Sequence, residues 1–89
     1  MTISPSNRPL PQPITHPVLR VAVQGNEIVI TASNSDYEMI YFLPADSLEL
    51  LARRFPRKED MSVSMTLADF LTAAWKLANG KARELGWIT

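Results

Sequence analysis

The side chains that could carry acid–base or metal chemistry are few in this sequence and lie far apart. The only histidine, His16, lies between Thr15 and Pro17, and the chain has no cysteine. A histidine needs a nearby base, nucleophile or second ligand before it can take part in catalysis or bind a transition metal. None of these is close to His16 in the sequence. We therefore interpret it as an ordinary exposed side chain, and we predict no metal or other cofactor.

The carboxylates form two close pairs, Asp36 with Glu38 and Glu59 with Asp60. Paired carboxylates can share a proton or bind a hard cation, but a calcium loop needs oxygen ligands spread over a longer, regular spacing. Neither pair has that spacing. We therefore expect all four side chains to lie on the solvated surface.

An enzyme is the third and least favoured hypothesis for this chain. Its candidate residues are Ser35, Asp36, Tyr37 and Tyr41, which fall near one end of the predicted sheet. Their spacing singles out neither a nucleophile nor a base. The three glycines, at positions 25, 80 and 86, form no phosphate-binding loop and no nucleophile elbow.

A basic cluster supports an alternative function, that of an accessory nucleic-acid-binding protein. Lys and Arg side chains bind phosphates, and four of them lie close together at Arg53, Arg54, Arg57 and Lys58. Two observations oppose this interpretation. Glu59 and Asp60 follow the cluster directly, and nine Asp plus Glu balance nine Lys plus Arg, so the formal net charge is zero.

The length and composition allow one domain with one modest core. The chain has 89 residues, of which 46% are hydrophobic and 20% charged, which favours a folded domain over a disordered one. Because there is no cysteine, a disulfide framework is excluded. We find no secretion signal and no apolar run long enough to span a membrane, and by that absence we expect a cytoplasmic location.

Residues 1–17 differ in composition from the rest of the chain because they hold five of the seven prolines. Proline fixes its own backbone and biases the preceding residue toward extended geometry, so no helix or central strand can pass through this segment. We predict an extended or disordered lead over 1–17, with a single α+β domain over 18–89. The stretch 8–13 also has the composition of a ligand for an aromatic groove on another protein.

A three-stranded antiparallel meander is predicted directly after this lead. Residues 18–24 and 27–32 alternate in hydrophobicity around Gly25-Asn26, and Gly at the first central position is typical of a type II′ hairpin turn. That turn pairs Gln24 with Glu27. A third strand over 37–43 pairs Ala32 with Tyr37. This register predicts one core face made of Leu19, Val21, Val23, Ile28, Ile30, Ala32, Tyr37, Met39, Tyr41 and Leu43.

The opposite face of this predicted sheet carries an apolar patch of Ala22, Val29, Ile40 and Phe42. The rows on either side of the patch are polar. An apolar patch with a polar frame is typical of a surface that binds a partner or a second copy of the chain. The alternative is that the chain's own lead or a helix covers the patch, or that it is a small exposed patch without a role.

Two helices are predicted after the meander. The first follows Asp46-Ser47-Leu48-Glu49, which has the spacing of a capping box, and Pro56 ends it. Its apolar stripe consists of Leu48, Leu51, Ala52 and Phe55. Residues 61–65 alternate between apolar and polar types, which is compatible with a short fourth strand or with an extended lead into the next helix.

The second predicted helix runs from 67 to about 85, with Thr66 as its N-cap. Asn79-Gly80 would ordinarily favour a stop, but the apolar stripe keeps its phase across this pair, so we predict one continuous helix. Gly86 is the better residue for ending it, with Trp87 folding back over the last turn. Trp75 and Leu77 widen the apolar face of this helix beyond what a small sheet covers.

The predicted architecture is therefore α+β, with the order β-β-β-α-(β)-α and both helices packed on one sheet face. The favoured function is a small non-enzymatic protein-interaction module that forms a homodimer. The candidate interface residues are Ala22, Val29, Ile40, Phe42, Trp75 and Leu77. The partner and the biological process do not follow from the sequence.

Overall fold

The structure is a computed structural model that describes residues 16–89. It contains a four-stranded antiparallel sheet followed by one helix, and the strands lie in the sheet in chain order, β1-β2-β3-β4. The predicted α+β class is confirmed. The lead predicted over 1–17 lies outside the described residues, apart from His16 and Pro17. The elements are β1 (Leu19–Gln24), β2 (Glu27–Ala32), β3 (Glu38–Phe42), β4 (Leu51–Arg54) and α1 (Leu67–Glu84).

The first hairpin has the predicted register and turn. Gln24 pairs with Glu27 and Val21 with Ile30. Gly25 has a φ of 61°, a value that a type II′ turn requires at its first central position and that glycine adopts without a steric penalty. The two-residue turn fixes the register, so the alternating hydrophobic residues of both strands reach the same face.

The third strand also pairs as predicted, with Ile30 opposite Met39 and Ile28 opposite Tyr41. The turn that leads into it, residues 33–36, contains Asn34 in the left-handed conformation with a φ of 56°. Asn tolerates this conformation better than most residues because its short side chain can bond to the local backbone.

The first predicted helix is wrong, because residues 51–54 form strand β4 along the free edge of β3. Leu48 is 90% exposed and Leu51 is 51% exposed, although both belong to the predicted buried stripe, whereas Leu50 is only 2% exposed. The Ser47 hydroxyl accepts a hydrogen bond from the backbone N–H of Glu49 at 3.1 Å and donates one to its carbonyl at 2.9 Å. This local turn competes with helix formation, and pairing with β3 satisfies the backbone that follows.

Residues 61–65 form neither a strand nor a straight lead. Val63 makes an isolated bridge, and its side chain packs in the core with 5% exposure. Its N–H donates to the carbonyl of Asp60 at 3.4 Å, so the segment contains a turn. Among the described residues, the fourth strand is therefore β4 and not this segment.

The second predicted helix is confirmed as α1. The Thr66 hydroxyl accepts from the N–H of Asp69 at 3.0 Å, which caps the helix start. Gly80 lies inside the helix. At its end the N–H of Gly86 donates to Arg83 at 3.0 Å and that of Trp87 to Ala82 at 2.8 Å. These two bonds and the φ of 79° at Gly86 are the Schellman arrangement that the sequence predicts.

The core lies between α1 and one face of the sheet, which we call the inner face. The buried face of α1 consists of Phe70, Ala74, Ala78 and Ala82, whose small side chains let the helix approach the strands closely. Phe70 stacks on Tyr37 with ring centroids 5.0 Å apart. Within residues 16–89, no helix is long and apolar enough to cross a membrane.

Candidate functional site

The sheet face that points away from α1, which we call the outer face, carries the predicted apolar patch. Ala22, Val29 and Ile40 pair in one row across the first three strands, and Phe42 lies in the next row opposite Glu27. Val29 is buried, Ile40 and Phe42 are half-buried, and Ala22 is exposed. Because strand residues alternate between faces, α1 does not cover this patch.

Strand β4 extends the outer face and places two arginines beside the patch. Arg54 pairs with Ile40 across the strands, and Arg53 is the extra residue of a β-bulge. The Arg53 guanidinium forms a salt bridge with Glu27 and lies 5.6 Å from the centre of the Phe42 ring. Charged groups therefore frame the apolar row at the β4 side.

The basic cluster is split by these contacts. Arg53 is paired with Glu27, and Arg54 lies 3.7 Å from a carboxylate oxygen of Glu38. Arg57 lies over the Phe55 ring, 5.7 Å from its centroid. Arg57 and Lys58 also border a cavity of about 420 Å³ whose other lining residues include three carboxylates, Asp36, Glu59 and Asp60. The four cations therefore do not form one uncompensated positive surface.

Trp75 and Leu77 lie on α1 and are separated from the outer face by the sheet. Trp75 is 43% exposed and packs against Tyr41, with ring centroids 5.7 Å apart. Leu77 is 38% exposed and borders a groove beside Val21 of β1. The six predicted interface residues thus fall in three places: four lie on the outer face, and Trp75 and Leu77 lie on opposite flanks of the helix.

Asp60 is the carboxylate with the densest hydrogen bonding. One oxygen accepts from the Ser35 hydroxyl at 2.8 Å and the Asp36 N–H at 3.0 Å, and the other accepts from the Ser62 N–H at 2.9 Å and its hydroxyl at 2.5 Å. The bonds from Ser62 first, and then those from Asp36 and Ser35, lower the pKa of Asp60 well below its usual range. Its carboxylate ties the connector before α1 to the turn between β2 and β3.

Tyr37 and Glu59 extend this network to the start of the helix. The Tyr37 hydroxyl accepts from the N–H of Asp60 at 3.0 Å and lies 3.1 Å from the carbonyl of Met65 and 3.3 Å from Glu59. The Glu59 carboxylate accepts from the Leu67 N–H at 2.7 Å, which favours the positive end of the helix. The functional groups of these two side chains are therefore engaged in holding the fold together.

The remaining candidates for acid–base chemistry are His16 and Tyr41. His16 Nδ1 lies 3.0 Å from the Ser64 hydroxyl at an exposed position. Tyr41 belongs to the core, and burial raises the pKa of its hydroxyl. In the part of the chain that the structure describes, no group of three or more His, Cys, Asp or Glu side chains is placed to hold a metal ion.

One signal for the Asp60 network is present in the sequence. Asp60-Met61-Ser62 has the Asx-turn spacing, in which an Asp side chain accepts from the backbone two residues later. The two bonds from Ser35 and Asp36 have no such local signal.

Comparison with protein-family models, with curated proteins and with solved structures gives no match for this chain.

Proposed function

We propose that this chain is a small non-enzymatic protein-interaction module that associates with a second copy of itself. The observation that carries the proposal is the one-sided packing of the sheet. The only helix of the described residues covers the inner face. The apolar row of Ala22, Val29 and Ile40 lies on the face without a helix, with Ala22 exposed, Ile40 half-buried and Val29 only 7% exposed. A protein of this size has little chain left to cover a second apolar surface.

Apolar side chains on the rest of the surface support the same proposal. Val23 is 42% exposed, Leu77 is 38% exposed and Trp75 is 43% exposed. The centre of a protein interface is more apolar than the rest of the surface and is enriched in aromatic residues, and the rim around it is polar. The paired arginines around Phe42 fit a rim, because their charge is already balanced by carboxylates.

The network around Asp60 bears on the enzyme hypothesis. A general base or nucleophile must have a free lone pair or a proton within reach of a substrate. The Asp60 carboxylate accepts four hydrogen bonds from its own chain, and the Tyr37 hydroxyl is surrounded by protein partners. This arrangement supports a structural role for both groups.

The nucleic-acid alternative receives less support from the geometry. Binding to nucleic acid depends on cations that neutralise phosphates and so release the counterions condensed on the nucleic acid. Arg53 and Arg54 are already placed against Glu27 and Glu38. Fluorescence anisotropy with a labelled duplex at low and high salt tests this alternative. Binding that strengthens strongly at low salt would favour it over the proposed interaction module.

Sedimentation velocity on the full chain, from micromolar to near-millimolar concentration, tests the proposed self-association. We expect the weight-average mass to rise from that of the 10.0 kDa chain toward twice that value. A mass that stays at the monomer value across the whole range would contradict the proposal.

A further inference from the structure

We infer that the second copy docks on strand β1, edge to edge and antiparallel, so that the two sheets become one continuous sheet. This inference rests on the proposed self-association but places it at the β1 edge, so that the outer faces of the two copies continue into each other and do not pack face to face. In the described part of the chain, β1 pairs only with β2, so one of its edges is free. A free edge presents backbone donors and acceptors that another strand can pair with.

The hydrogen-bond pattern identifies the β1 residues whose backbone N–H and C=O groups point away from β2. The N–H of Ser33 donates to the carbonyl of Val18 at 2.9 Å, so this pair bonds between the strands. Bonded and non-bonded pairs alternate in an antiparallel ladder. The backbone groups of Arg20 and Ala22 therefore face β2, and those of Leu19, Val21 and Val23 face the free edge.

The two edges of the sheet differ in how well they are protected. Strand β4 carries adjacent Arg53 and Arg54, contains a bulge and is followed closely by Pro56, all of which discourage pairing with another strand. Strand β1 has no proline and no bulge, and Arg20 is its only charged residue. The unprotected edge is therefore β1.

One register of self-pairing uses all three outward-facing residues. It places Val21 opposite Val21 of the second copy on a two-fold axis, and Leu19 opposite the second copy's Val23. On the outer face, Arg20 then lies opposite Ala22. The neighbouring register with the same hydrogen-bond parity places Arg20 opposite Arg20, and like charges directly opposite each other are destabilising. The other neighbouring register, centred on Ala22, opposes no like charges but leaves Leu19 opposite Gly25 of the turn. We therefore favour the register centred on Val21, because it opposes no like charges and pairs all three outward-facing residues.

The helix flank beside β1 fits the same axis. A groove of about 290 Å³ lies next to Val21 and is lined by Lys76, Leu77, Gly80, Lys81 and Glu84. A two-fold axis reverses the direction of this flank in the second copy. Lys76 of one copy therefore faces Glu84 of the other copy. Leu77 and Val23, both partly exposed in the single chain, lie on the side that the second copy would cover. Glu84 already pairs with Lys81 of its own chain at 2.6 Å, so Lys76 of the second copy would add to an existing ion pair.

A single-cysteine crosslink tests the register, because the chain has no cysteine of its own. In a bonded antiparallel pair the Cα atoms are about 5.5 Å apart, which a disulfide can bridge. We expect full-length Val21→Cys to form a covalent dimer readily under mild oxidation. The matched control, Ala52→Cys on the β4 edge, should form one slowly. Equal crosslinking of both variants, or none at Val21→Cys in a protein that sediments as a dimer, would overturn the inference.

A charge on the free edge tests the same surface without relying on oxidation. Val23→Lys places a cation beside the second copy's Leu19, and we expect the dimer dissociation constant to rise roughly tenfold or more. Leu51→Lys, at a similarly exposed position on β4, should leave it unchanged. Circular dichroism shows that each variant is folded. A dimer that Val23→Lys leaves intact would place the second copy elsewhere and contradict the inference.

The outcomes separate this inference from the proposed function. A wild-type chain that stays monomeric contradicts both. A wild-type dimer that neither variant affects contradicts only the β1 interface. Hydrogen exchange on the wild type adds a further test, because protection of the Leu19, Val21 and Val23 amides should increase with concentration. Strong protection in a monomer would show that the chain's own N-terminal segment covers this edge, which would also overturn the inference.

Discussion

At the scale of single residues, the Tyr37 hydroxyl is the point where three segments of the chain meet. Its ring is buried against Phe70, and its oxygen lies within hydrogen-bond distance of the Asp60 N–H and the Met65 carbonyl. The hydroxyl therefore joins the third strand to the connector and to the residues before the helix. A buried backbone group that loses its partner costs more than an average hydrogen bond contributes.

Tyr37→Phe removes this oxygen and keeps the ring. We expect the free energy of unfolding to fall by about 1–3 kcal/mol, since two backbone groups lose their partner. Urea denaturation measures the change. Tyr41→Phe is the matched control, because Tyr41 is a second core tyrosine and its hydroxyl has no hydrogen bond to the described residues. An equal loss in both variants would contradict the role assigned to the Tyr37 hydroxyl.

Asp60 makes the stability depend on pH in a specific direction. Its pKa is lowered in the folded chain, so its contribution is fully present above the unfolded value of about 3.9 and is lost as the pH falls toward the folded value. Asp60→Asn cannot accept all four hydrogen bonds. We expect this variant to be less stable than the wild type at neutral pH.

The difference in stability between the wild type and Asp60→Asn should become smaller as the pH falls below about 4. Only the wild type has a carboxylate at position 60 that becomes protonated in this range. Thermal unfolding at a series of pH values measures it. Asp46→Asn serves as the control, since it removes the charge of a carboxylate whose side chain is exposed to solvent. A wild-type advantage over Asp60→Asn that does not change with pH would contradict this account.

The hydrogen bonds around Asp60 can be predicted from the sequence only in part. The Asp60–Ser62 contact is local and follows a known turn pattern, so it could be predicted. The contacts of Asp60 with Ser35 and Asp36 span more than twenty residues and depend on how the connector folds back over the sheet. From the sequence alone these carboxylates are expected to be solvated, because no local rule brings the two stretches together.

At the scale of elements, the meander and α1 were predictable because their signals are local. Gly25 sets the hairpin register, and Thr66 and Gly86 mark the two ends of the helix. The predicted helix over 47–55 failed for the opposite reason. A stripe of four apolar residues matched helical spacing, but the unpaired edge of β3 offered a better arrangement for the same backbone. Tertiary pairing overrode a weak local preference.

Two leucine substitutions distinguish strand β4 from the helix that the sequence favours. In the structure Leu50 is 2% exposed and Leu48 is 90% exposed. Leu50→Ala should therefore lower the free energy of unfolding by about 2–5 kcal/mol, and Leu48→Ala by less than about 0.5 kcal/mol. Chemical denaturation of both variants gives the comparison. The reverse ranking would support the helix, in which Leu48 belongs to the buried stripe.

At the scale of the whole molecule, the described residues 16–89 place one helix on one face of a small sheet, with no helix on the outer face and no strand paired with the outer edge of β1. If the chain pairs through that edge, folding and association are linked, because the dimer binds only folded chains. We expect the midpoint of thermal unfolding to rise with protein concentration in the wild type. The rise should be smaller in Val23→Lys and unchanged in Leu51→Lys. Scanning calorimetry at several concentrations measures this, and a constant midpoint in the wild type would contradict the linkage.

The strand order has a consequence for how the chain reaches its fold. Each strand pairs with the strand next to it in the chain, so the sheet requires only short loops to close. The helix comes last and supplies the long-range contacts of the core. Chains dominated by local pairings fold faster than those that must first join distant segments. During synthesis, the strands of this sheet therefore leave the ribosome before α1, so the inner face of the sheet is exposed until the helix follows.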